Sequence, residues 1–196
     1  MKRAVAAAAL VISVLTGCDS ASTPTAPPTP TPTPTPTPVP TPLAVTGIGF
    51  ATSAPAGWTL GAQQQASGIT EYPLSSASVT GGVGVIPFPA TSADRQTLAL
   101  ETEDINLVAQ TVVGAQTGTS NIVVDEAPHH VIVAGETCSQ MGISTSANGQ
   151  QSDGRSMTCR HGRAIYAISL VVTGGTNITE AVTALGSIVA AWRWTA

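Results

Sequence analysis

The residue with the clearest chemical reading is Cys18, which ends the run Leu15-Thr16-Gly17-Cys18. A small residue before a cysteine, after an apolar stretch, is the pattern that bacterial lipoprotein-processing enzymes read. The chemistry it implies is acylation of the thiol and cleavage of the chain in front of it. The preceding residues fit, since Met1-Lys2-Arg3 is a short positive region and Ala4 to Leu15 is apolar or small throughout. That length suits a signal-peptide core, not a membrane-spanning helix. An ordinary secretory signal with an incidental cysteine is the competing reading. A diacyl plus N-acyl anchor at Cys18 would hold the protein stably on a membrane, because each buried methylene contributes about 0.8 kcal/mol and more than one chain is present. Asp19 resembles the signal that retains lipoproteins in the inner membrane of two-membrane cells; its plain alternative is one more linker residue.

Two further groups of residues carry chemistry. Asp125-Glu126 and His129-His130 mix carboxylates with imidazoles, a donor set that suits a divalent metal. Strand alternation, however, sends adjacent histidines to opposite faces, so the expected reading is a polar turn around Pro128 and no metal. Cys138 and Cys159 are the two cysteines left once Cys18 is lipidated, in a compartment where disulfides persist. Asn148-Gly149 favours a two-residue type I′ hairpin turn, in which residue 147 faces residue 150 and opposed positions sum to 297, as Cys138 and Cys159 do. Counting outwards from the hydrogen-bonded 147:150 pair places them at a non-hydrogen-bonded position, where side chains approach most closely. A turn at Asp153-Gly154 would break that match. The sequence holds no Gly-x-Ser-x-Gly elbow, no Gly-rich phosphate loop, no His-Glu-x-x-His and no Cys-x-x-Cys. His161, beside Arg160 and Arg163, reads as a solvent-facing turn residue. No cofactor is expected.

These residues need elements to position them. Residues 18–43 form a tether dominated by Thr-Pro alternation, which cannot build a helix or a ladder and reads as a semi-rigid polyproline II spacer. The signal is residues 1–17 and a single globular domain is expected over residues 44–196. Ten of the fifteen prolines lie before Ala44, and all seven aromatic residues lie after it. Removal of Lys2 and Arg3 takes the seven basic residues to five arginines and no lysine, against eleven acids, a net charge of −6. A lysine-free acidic chain is a poor partner for nucleic acid or an anionic lipid surface.

Within the domain, Ile48 and Phe50 alternate with small residues before the turn Ala54-Pro55-Ala56-Gly57, and Trp58-Thr59-Leu60 restarts an extended pattern, giving an opening strand pair. Ile69 to Leu74 and Val83 to Phe88 are strands separated by Gly81-Gly82, the second an edge strand or one closed by Pro87 and Pro89. From Thr91-Ser92 the period changes to that of a helix, with Leu98, Ile105, Val108 and Val112 on one face, Glu101, Glu103 and Asp104 solvated, and Gly114 as the stop. An antiparallel meander follows over Asn121–Glu126, His130–Ala134, Thr137–Ser146, Ser156–Arg160 and Ala164–Thr173. Asn177 with Glu180 is a capping signal for a second helix through Val182, Leu185, Ile188 and Val189. Trp192-Arg193-Trp194 reads as a short terminal strand with both indoles on one face.

The order of a Phe-containing strand into Pro55-Ala56-Gly57-Trp58, a strand pair, a long helix, antiparallel strands with Gly162-Arg163-Ala164-Ile165-Tyr166, a last helix and Trp192-Arg193-Trp194 resembles the PsbP/Mog-type fold, and within it the small LpqN and DcrB-type bacterial lipoproteins. The resemblance implies an α+β fold, an α/β/α sandwich around a central antiparallel sheet packed by two main helices. It also implies a non-enzymatic binding or assembly role. The cysteine pair is a departure from the usual pattern of that group. The expected function is a lipid-anchored, extracytoplasmic interaction module of the cell envelope with a protein partner. The alternatives are a carrier of a lipid or other small ligand in an apolar cleft, and a metal-dependent enzyme.

Overall fold

The computed structural model describes residues 39–66, 68–87, 103–116, 121–147, 150–172, 174–175 and 178–196. The signal segment, Cys18, the tether up to residue 38, the helix start at Thr91 and the Asn148-Gly149 turn lie outside them. Leu43–Gly47 (β1) and Phe50–Ala54 (β2) form a hairpin, joined at one edge by the terminal strand Arg193–Trp194 (β11). Gly49 turns the hairpin at φ +76°, a conformation glycine adopts without penalty, and a Cβ there would strike the Tyr166 hydroxyl. Ile48 is therefore a turn residue, 59 % exposed, and not part of a strand as its alternation suggests.

The large sheet contains Thr59–Leu60 (β3), Gln64–Ala66 (β4), Ile69–Ser75 (β5), Val79–Pro87 (β6), Asn121–Val133 (β7), Glu136–Ala147 (β8), Gln150–His161 (β9) and Ala164–Val172 (β10). Its order is β3-β5-β6-β10-β9-β8-β7, with β4 also on β5, and every pairing is antiparallel. Several expectations change here. Thr59–Leu60 pairs with β5, not with the opening hairpin. Gly81 and Gly82 lie inside β6, which is a central strand between β5 and β10; only its end at Pro87 agrees with the sequence reading. Asp153 and Gly154 lie inside β9, where Gly154 is required because a Cβ would come within 2.3 Å of the Leu170 carbonyl. The stretches before and after Pro128 are one strand with two register shifts.

Among the described residues two helices pack on the sheet. Ile105–Gln116 (α1) starts after Asp104, whose side chain accepts the Asn106 N–H at 2.8 Å. Glu103 and Asp104 are not helical, so no single helix runs from Thr91 to Gly114, and α1 continues through Gly114. Thr179–Ala190 (α2) begins at Ile178 without a side-chain cap. Glu180 instead accepts hydrogen bonds from Ser76 and Ser78 in the β5–β6 turn. Its buried face is Ala181, Ala184, Leu185 and Ile188, while Val182 is 41 % exposed.

The side-chain alternation of β10 divides the core. Tyr166, Ile168, Leu170 and Val172 join the larger cluster with α2, Phe50 and Trp192, whereas Ile165 and Val171 join the clusters with α1. The register of β8 and β9 sets Cys138 opposite Cys159, and a disulfide joins them with Cα atoms 4.3 Å apart, the spacing of a non-hydrogen-bonded pair. Ala147 opposes Gln150, the pairing expected for a two-residue loop.

Two predictions follow from these contacts. Cys138→Ser should lower unfolding free energy by about 3 kcal/mol, since a cross-link over a separation of 21 residues constrains the unfolded chain. Thiol labelling of the unfolded, unreduced Cys18→Ala protein should find no reactive sulfur; two labelled cysteines would remove the bond. For Glu180, hydrogen bonds from Ser78 and then Ser76 hold the carboxyl below its ordinary value of 4.5. A depressed folded value means stability that is present above the unfolded pKa and lost as pH falls through the folded one. Glu180→Gln should therefore flatten the acid limb of a stability profile below about pH 4.5, and an unchanged limb would contradict the contact.

Candidate functional site

The carboxylate and imidazole candidates on β7 are drawn apart. His129 opposes Gln140 and His130 opposes Ser139, so the two rings leave opposite faces of the strand. His130 Nε2 lies 3.2 Å from Asp104 Oδ2 at the start of α1, and His129 Nδ1 lies 3.8 Å from Glu126 Oε1. Glu126 is engaged by Arg155 at 2.9 Å. Asp104 is held below its ordinary value chiefly by the Asn106 N–H, with His130 adding to the effect. Among the described residues no group of three or more His, Cys, Asp or Glu side chains is placed to hold a metal ion.

His161 departs from its reading as a solvent-facing residue. It closes β9, stacks on the Trp194 indole at 4.3 Å and 7°, and sets Nδ1 2.9 Å from Glu136 Oε1. The β8–β9 ladder ends at the cysteine pair, and the Glu136–His161 contact lies two residues beyond it on each strand. This is packing: it ties the C-terminal strand to the disulfide end of the hairpin. Cys138 and Cys159 are fully buried, which suits a structural bond.

A concavity with room for a ligand lies elsewhere, on the face of β5, β6 and β10 that also carries Ile165 and Val171. It encloses about 280 Å³. Gly82, Gly84, Ala167 and Ser169 form its floor, Ile69, Pro73 and Ile86 its apolar flanks, and Glu71 its one charged side chain. The strand register explains the shape. Pro73 opposes Gly82 and Glu71 opposes Gly84, while on the other side Ala167 opposes Gly84 and Ser169 opposes Gly82. Two adjacent strands, β6 and β10, thus present nothing larger than Ser in their middle rows, beside Glu71 and Pro73 of β5. Ser169 Oγ is 3.1 Å from Ser156 Oγ, so its polarity is already met at the floor. Glu71 is exposed and has no hydrogen-bond or ion-pair partner among the described residues. Sequence reasoning missed this site. The signal was available in Gly82-Val83-Gly84-Val85, because glycines two apart empty one face of a strand.

The two glycines are bare for different reasons. At Gly82 a Cβ would lie 2.7 Å from the Tyr72 carbonyl, so close strand approach demands glycine. At Gly84 a Cβ would meet only Ile69 Cγ2 at 3.6 Å and the Ala167 carbonyl at 3.8 Å, ordinary contacts.

This architecture, an antiparallel sheet with two helices and an aromatic C-terminal strand, is of the PsbP type. The structure superposes on cyanobacterial PsbP (CyanoP) from Synechocystis sp. PCC 6803 with a TM-score of 0.50 at 12 % identity, covering 79 % of this chain and 92 % of that one. LpqN, described as involved in cell envelope biogenesis of Mycobacterium tuberculosis, gives 0.46 at 15 % identity over 80 % and 90 % of the two chains. No family model and no curated protein matches the sequence. Among the described residues no helix is long and apolar enough to cross a membrane.

The groove's construction predicts a contrast. Gly82→Ala should destabilise the domain by about 1–3 kcal/mol through the backbone clash, while Gly84→Ala should leave it within about 0.5 kcal/mol of wild type. Chemical denaturation of the two variants checks this, and equal losses would refute the distinction.

Proposed function

We propose that the protein is a membrane-anchored extracytoplasmic lipoprotein whose domain is a non-catalytic interaction module of the cell envelope, with the β5–β6–β10 groove as its docking face. The observation that carries this reading is Gly84. Packing leaves room for a side chain there, glycine weakens a strand interior, and its absence of a side chain serves the open groove. In this reading the domain is an α/β/α sandwich in which α1 covers part of one face and leaves the groove for a partner.

The groove's floor, not its size, favours a protein partner over the carrier alternative: its volume of about 280 Å³ lies at the lower edge of the roughly 300–1,000 Å³ of clefts that engulf a small molecule, but its floor is backbone and small side chains. A few side chains of a partner protein suit it better than acyl chains. The anchor and tether rest on the sequence: Cys18 supplies attachment and residues 18–43 supply reach, at about 3.1 Å per residue for polyproline II. A disulfide between Cys138 and Cys159 accords with an oxidising compartment.

A photocrosslinking amino acid at Ile69, on the groove's flank, tests the reading in cells. The anchored chain should give a discrete protein adduct. Cys18→Ala should move the protein from the membrane to the soluble fraction, with unchanged folding, and diminish the adduct. A lipid adduct would favour the carrier, and a variant that stays membrane-bound after a salt wash would end the anchor reading.

A further inference from the structure

The groove's one charged side chain narrows what can lie in it, and this step rests on the docking reading above. We propose that the partner presents an extended segment of the form apolar-x-basic-x-apolar, whose central lysine or arginine pairs with Glu71.

From Gly82 to Ile86 the groove runs along five residues of β6, about 13 Å at the rise of an antiparallel strand, which accommodates about five residues of extended chain. Alternation then turns every second side chain of such a segment towards the floor. Glu71 opposes Gly84, midway between the Pro73 end and the Ile69 and Ile86 end, so the central inward side chain meets a carboxylate and the outer two meet apolar flanks. Gly84 leaves that centre open, and a long basic side chain can lay its methylenes over the bare backbone while its cation reaches Glu71.

Charge points the same way. Glu71 has no partner among the described residues, and the mature chain has no lysine of its own to supply one. Of its arginines, Arg155 engages Glu126 and Arg160 donates to the Glu103 carbonyl. With a net charge of −6, seven basic residues less two against eleven acids, the chain attracts a cationic segment and repels an acidic one.

Titration of full-length Cys18→Ala protein with two labelled synthetic peptides, acetyl-Val-Ser-Lys-Ser-Val-amide and its glutamate counterpart, followed by fluorescence anisotropy, tests this. The lysine peptide should bind and the glutamate peptide should not, with binding that weakens as salt rises. Glu71→Gln should weaken the lysine peptide about three- to fivefold, as befits an exposed ion pair. Glu71→Lys should exchange the preference, and Gly84→Leu should abolish binding of the lysine peptide while the melting temperature holds. Equal binding of the two peptides, or none of either, or no effect of Glu71→Gln, would overturn the inference. The docking reading fails separately: it falls if Gly84→Leu leaves the cellular crosslink from Ile69 intact, and it survives if that variant removes the crosslink while Glu71→Gln does not.

Discussion

The Phe50 ring is the contact on which the arrangement depends. It is fully buried, stacks on Trp192 at 4.7 Å and 7°, and receives the edges of Tyr72 at 5.3 Å and Tyr166 at 6.2 Å. These four rings come from β2, the end of α2, β5 and β10, so one cluster joins the small sheet to the large one. Aromatic pairs of this kind add about 0.5–1.5 kcal/mol each beyond the area they bury. The cluster also dictates its surroundings. A Cβ on Gly47 would fall 2.2 Å from the Phe50 ring, and burial in its midst raises the Tyr166 pKa above its ordinary 10.0. Tyr72 uses its hydroxyl to accept the Ile48 N–H at 2.9 Å, which holds the hairpin turn over the cluster.

The face opposite this cluster carries small residues in the middle of β6 and β10. In β6, Val79, Val83 and Val85 are buried in the large cluster, while Gly82 and Gly84 occupy the opposite row. In β10 the same split puts Tyr166, Ile168 and Leu170 on the aromatic side and Ala167 and Ser169 on the groove side. The groove is therefore the reverse of the core. A strand cannot be thick on one face without register fixing what stands on the other, and here register empties it.

Much of the fold was legible because its strands alternate cleanly. The extents of β5 and β10, the terminal strand at Trp194 though not Trp192, which precedes it, and the cysteine pairing through a single register all followed from period-two reasoning. Failures occurred where a residue's local preference was overruled by its neighbours in space. Gly81, Gly82 and Gly154 look like breaks, yet each lies within a strand because an adjacent backbone approaches too closely for a side chain. Glu180 resembles half of a capping box but answers serines about a hundred positions away in sequence. The groove escaped notice because emptiness belongs to two strands at once, β6 and β10, with about half of the domain's sequence between them.

One feature of β7 bears on how copies behave beside one another. The strand has β8 on one side and no partner strand on the other among the described residues, and at 13 residues it is long enough to template foreign strands. Its ladder, however, slips between Val124 and Glu126 and again between Glu126 and His129, around a proline that has no N–H to offer. Asp125 and Glu126 stand at the same interruption. The edge left open among the described residues is thus cut into two short pieces beside acidic side chains, an interruption that disfavours edge-to-edge pairing between identical molecules.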